Sequence, residues 1–143
     1  MRKASVARLR VAIQSQGAAF EVSPPSGFDV AAHNRVKGFL RTQKSRVLGR
    51  FVSRIDGSSI SDTWMAAARV ASADTQFAVF LMGIELAPPP ELAEAIAQQR
   101  RRKLPGGPGS LVLIPVDVRD WSALVPTDTP GFAKSILSRL RSA

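Results

Sequence analysis

At 143 residues, 45% of them apolar, the chain suits one domain spanning 1–143 with a real core, and global disorder is excluded. The absence of cysteine rules out disulfides, thiolate metal sites and a thiol nucleophile, and a cytoplasmic location is expected. The longest apolar run, residues 77–84, is far too short to span a bilayer, so no membrane partner is expected.

The net charge is +9, and it is unevenly placed. Residues 30–55 carry seven basic side chains and no acidic one, while residues 56–99 carry one basic and six acidic. The acidic middle is flanked by segments that are strongly basic, and such asymmetry points to a polyanionic or acidic partner for one surface.

In chain order, residues 3–16 read as a helix, because Val6, Leu9 and Ile13 recur at helical spacing. The acid-free, Arg-bearing N-terminus also faintly resembles an organelle transit peptide; the helix is preferred because a strand-like segment follows at once. Residues 18–22 and 28–32 read as short strands. Residues 35–51 hold six basic residues interleaved with apolar ones. Val36, Phe39, Leu40 and Val47 suit a helix face, but Gly38 and Gly49 weaken it, and a basic arm or hairpin over 33–50 is equally open. Residues 50–56 read as a strand ending at the Asp-Gly-Ser-Ser turn that begins at Asp56.

Residues 59–73 predict a helix capped by Ser61 or Asp62, whose side-chain oxygens can accept first-turn amides. Residues 75–84 and 110–118 read as buried strands, continuously apolar. Between them, residues 89–104 predict a helix with Pro at its start, Glu in its first turns, cations in its last turn and a Pro-Gly-Gly stop. Residues 130–141 close the chain as an amphipathic helix with Phe132, Ile136, Leu137 and Leu140 inward. The order α, β, β, β, α, β, α, β, α predicts an α/β sandwich: a mixed central sheet of about five strands with helices on both faces.

This order resembles the restriction-endonuclease-like nuclease superfamily over roughly residues 3–118. The resemblance implies an Asp on the second strand and an Asp/Glu-x-Lys on the third, holding a divalent cation that activates water. Asp29 matches the first position. Aligning Arg54 with the lysine puts Val52 where a carboxylate belongs, and Asp56, two residues on, is its possible displaced replacement. The implied site is therefore degenerate and inactive, or else an Mg²⁺ site of Asp29 and Asp56 with Arg54 assisting; in the inactive case no cofactor is implied.

His33, the only histidine, suits a structural or phosphate-contacting role. Trp64 and Trp121 suit core or partly buried packing, and Asp120 the start of a turn or the cap of a short helix. The expected function is nucleic-acid binding, duplex DNA ahead of single strands. Arg35, Lys37, Arg41, Lys44, Arg46 and Arg50 would neutralise phosphates, helped by Arg100, Arg101, Arg102 and Lys103. The last four equally suit the negative end of a helix. The competing reading is an assembly module in which the basic arm docks on an acidic protein or on a second copy.

Overall fold

The computed structural model describes residues 2–37, 42–72, 74–100, 110–126 and 129–142. The elements are α1 (Arg2–Gln14), β1 (Ala19–Phe20), β2 (Val30–Lys37), β3 (Thr42–Ile55), α2 (Gly57–Ala68), β4 (Thr75–Leu86), α3 (Pro89–Arg100), β5 (Ser110–Asp117), β6 (Ser122–Ala123) and α4 (Gly131–Ser142). The strands form one mixed sheet in the linear order β1-β2-β3-β4-β5-β6. The first three are an antiparallel meander, β3, β4 and β5 run parallel, and β6 returns antiparallel.

Chain chemistry explains the central layer. β4 is apolar on both faces, with every side chain from Phe77 to Met82 buried, as a strand with helices above and below requires. Its even-numbered residues Ala78, Phe80 and Met82 join Val112, Ile114 and Val116 of β5 in one core with α1 and α4, through Leu9, Ile13, Ile136 and Leu140. The odd-numbered Leu81, with Leu113 of β5, packs on Ile60 and Trp64 of α2 and Leu92 of α3. Phe77 and Val79 meet Ala67 of α2. The two crossover helices therefore share one face. Both connections step the same way along the sheet, and β-α-β units keep one hand, so the other face is left to the terminal helices.

The sheet has six strands rather than about five because β6, not expected from the sequence, pairs onto the β5 edge, while the strand expected at 18–22 forms the other edge as the two-residue β1. The stretch left open between helix and hairpin is a hairpin: β2 pairs with β3 from Val30↔Gly49 out to Lys37↔Thr42. The strand expected at 28–32 thus starts at Val30 and runs on to Lys37. Gly49, which opposed a helix, serves a close approach. A Cβ there would lie 2.8 Å from Leu9 Cδ2, so a larger residue would force the Leu9 side chain of α1 to move off β3.

The cap of α2 is Asp56, not Ser61 or Asp62. β3 runs into the helix without a loop, so the Asp-Gly-Ser-Ser turn is the helix's own first turn. Asp56 Oδ1 accepts from Ser59 N (2.9 Å), and Ser59 Oγ accepts from Asp56 N (2.8 Å). This reciprocal box satisfies two amides at once. Asp56→Ala is expected to lower stability by about 1 kcal/mol, read as a lower urea midpoint, while Asp56→Asn retains most of it.

Candidate functional site

The carboxyl ends of parallel strands are where open α/β sheets commonly hold ligands, and the expected catalytic residues fall near that end. Asp29 lies just ahead of β2. Its amide donates to Gly49 O (2.8 Å), and its Oδ2 accepts from Phe51 N (2.9 Å). The carboxylate therefore takes the place of a ladder carbonyl where β2 begins. Beside Phe51 lies a cavity of about 230 Å³ lined by Ser5 of α1, Phe51, Val52 and Ser53 of β3, Met82, Gly83 and Ile84 of β4, and Val118. Its lining contains no acid and no lysine.

Arg54 and Asp56 do not join Asp29. Asp56 follows Phe51 by five residues, about 16 Å along an extended strand. Its oxygen is committed to the cap, and the Ser59 amide holds its pKa below the usual carboxylate value. Arg54, half exposed, lies 3.7 Å from Glu85. Asp29 and Asp56 consequently do not fit a shared cation, and among the described residues no group of three or more His, Asp or Glu side chains converges as a metal site would.

Nearby, Asp117 at the end of β5 is 5% exposed. It accepts from Arg119 Nη2 (2.7 Å) and from the Arg119 amide (2.9 Å), and the guanidinium bond holds its carboxyl low. Asp120 takes the Ser122 amide and hydroxyl (3.0 and 2.8 Å), the turn role expected of it. The turn positions Trp121 at φ 61°, buried in the core, as Trp64 is on the other face. A non-glycine residue at such a φ is uncommon; here burial of the indole holds it.

The basic arm behaves differently from expectation where it is described. Arg46 makes a two-pronged ion pair with Glu21 (2.8 and 2.6 Å), both side chains about four-fifths buried. The Arg46 hydrogen bond holds the Glu21 pKa below its ordinary value. His33 Nδ1 stands 3.8 Å from the same carboxylate. Lys44 bonds Asp74 (2.8 Å), which draws that carboxyl down to about 2. Arg50 donates to Thr63 Oγ1 of α2 (3.2 Å). Arg35 is exposed. Lys37 and Arg100 lie in β2 and α3 by their backbone, while Arg41, Arg101, Arg102 and Lys103 lie outside the described residues. Sequence position alone did not show that Glu21 and Asp74 sit against the arm; β1 pairing and the parallel β4 bring them there.

A second cavity, about 330 Å³, lies at the opposite end of the parallel strands. Gln16, Asn34, Ser45 and Gln76 line it together with Phe132 and Ile136 of α4.

The helices free of acidic residues carry a second set of cations, outside the arm. α1 contributes four basic residues and α4 three, and neither contains an acid. The opposite pair, α2 and α3, contains three acids (Asp62, Glu91, Glu94) and one base. Lys3, Arg10, Lys134, Arg139 and Arg141 are exposed. Among the described side chains, none of Lys3, Arg8, Arg10, Lys134, Arg139 and Arg141 is in an ion pair. Arg8 is the exception to exposure: its guanidinium donates to Leu140 O (2.8 Å) and stacks 4.4 Å over Trp121, pinning α1 to α4.

No helix among the described residues is long and apolar enough to cross a membrane. No family model, curated protein or solved structure matches the chain.

Proposed function

We propose that this chain is a nucleic-acid-binding domain, directed to duplex DNA, built on a nuclease-like sandwich in which no catalytic centre assembles. The observation that supports it best is topological. A helix, a three-strand meander, a crossover helix and a parallel strand stand in one linear sheet, with an Asp at the start of the second meander strand hydrogen-bonded to the third. In a nuclease of this type that Asp shares a cation with an acid on the third strand. Here Phe51, Val52 and Ser53 occupy the neighbouring positions, and none can ligate a hard cation through a carboxylate. What remains is a rigid body with net charge +9, whose affinity for DNA would come from phosphate neutralisation and carry little sequence preference.

The test is fluorescence anisotropy with a labelled random 30-bp duplex over a salt series, alongside plasmid incubation in Mg²⁺ or Mn²⁺. Affinity is expected to fall at least tenfold between 50 and 200 mM salt, with the plasmid left intact. Salt-insensitive or absent binding counts against the reading. Metal-dependent cleavage lost in Asp29→Ala would show a working nuclease instead.

A further inference from the structure

We infer that the DNA-contacting surface is the α1/α4 helical layer, not the β2–β3 arm. This rests on the nucleic-acid reading above and specifies where it acts.

The arm is a poor candidate where it is described. Arg46 and Lys44 are held by Glu21 and Asp74, and Arg50 by Thr63. Engaging phosphates with them would require breaking those bonds first. The α1/α4 layer is less committed: among the described residues none of Lys3, Arg10, Lys134, Arg139 and Arg141 is paired with a carboxylate, and the two contacts present, Arg10 over the Phe20 ring (4.1 Å) and Arg141 Nε on Trp121 O (3.4 Å), each leave guanidinium N–H groups to spare. Arg8 meets Leu140 at one end, while Gln16 and Phe132 line a common cavity at the other. The helices therefore run antiparallel, side by side. Arg10 is brought level with Arg139, Lys134 lies toward the end of α1, and Lys3 lies toward the Arg141 end. Their apolar residues face the sheet, so the cations lie off the packed face of the two helices.

From Lys3 to Gln14 the platform is about 17 Å long at 1.5 Å per residue. B-form duplex presents about ten phosphate charges over that length. Five exposed cations spread over that length are comparable in number to the half of those phosphates that a single face of a duplex turns toward a protein. The macrodipole accounts for Arg139 and Arg141 in the last turn of α4, but not for Lys3, Arg10 or Lys134.

The surface chemistry also selects among polyanions. Among the described residues, Val11 is the only large hydrophobic side chain of α1 or α4 that is well exposed. A lipid surface would have almost nothing apolar to take up. Among the described residues, the aromatic beside these cations is Phe20, half-buried and covered by Arg10 (4.1 Å) rather than open for base stacking, so a duplex backbone fits better than a single strand.

The experiment compares two charge-neutralised variants on the same 30-bp duplex: Lys3→Gln/Arg10→Gln/Lys134→Gln/Arg139→Gln/Arg141→Gln, and Arg35→Gln/Lys37→Gln/Arg41→Gln. Near-UV circular dichroism of Trp64 and Trp121 verifies folding. If the fivefold variant does not fold, its α1 pair and α4 triple are measured separately. The helical variant is expected to bind at least tenfold more weakly and to flatten the salt slope by several units, with the arm variant within threefold of the parent. An arm variant that loses binding while the helical variant keeps it overturns this assignment and leaves the DNA reading standing. A parent chain with no duplex affinity, with or without salt-sensitive self-association by light scattering, overturns both.

Discussion

Phe80→Ala is expected to cost about 3–5 kcal/mol of folding free energy, the range for truncating a fully enclosed aromatic. Phe80 is 0% exposed and lies mid-strand in β4, between Gly49 of β3 and Ile114 of β5. It belongs to the core under α1 and α4. Gly49 offers no side chain to collapse into the space, and Leu9 of α1 already sits close over Gly49. The cavity would therefore persist rather than close, which is the condition for the upper part of the range. Domains are typically stable by about 5–15 kcal/mol, so this single change would bring the protein near its folding threshold. Urea unfolding checks it: the midpoint should fall sharply at constant slope. An unchanged midpoint would mean that β4 is not the centre of the core.

Arg46→Ala is the second large effect, expected at about 2–3 kcal/mol at pH 7 because it strands a mostly buried carboxylate. Glu21 then keeps its desolvation and loses the two-pronged guanidinium bond that offset it. The pH dependence distinguishes this from a simple packing loss. In the parent, the folded-state pKa of Glu21 lies below its ordinary value. Its contribution is therefore complete above the unfolded-state pKa and is lost as pH falls through the depressed folded one. The stability gap between parent and variant should be widest near neutrality and should narrow as the solution is acidified below about pH 4.5. Urea midpoints at pH 7, 5 and 3.5 read it. If Arg46 instead served a DNA backbone, its removal would leave stability alone and change only affinity.

Much of the architecture was legible because local signals and burial agreed. Residues 75–84 lack a helical period and are apolar on both faces, and they form the doubly covered strand β4. The 130–141 stripe became α4 with Ile136, Leu137 and Leu140 buried as read. The α2 cap was misplaced because Asp-Gly-Ser-Ser has turn chemistry as well as capping chemistry. Only the direct passage from β3 into the helix decides between them. The expected carboxylate pair was drawn from strand alternation, which places Arg54 and Asp56 on one face. It carries no information on their separation from Asp29 along the sheet, or on Asp56 leaving the strand to cap α2.

From the amino-acid sequence alone follow the four helices, the two buried strands, the mixed sheet and the amount of positive charge, but neither the long β2–β3 hairpin nor β6. The former rest on side-chain periodicity, turn chemistry and counting. Tertiary structure alone decided which charges remain available. Strand pairing laid Glu21 and Asp74 against the arm's Arg46 and Lys44. The shared hand of the two crossovers put the acid-bearing α2 and α3 on one face and left the other to α1 and α4, which have no acids. A cation's neighbours in three dimensions, not its neighbours in the chain, determine whether it is spent inside the fold or faces a partner.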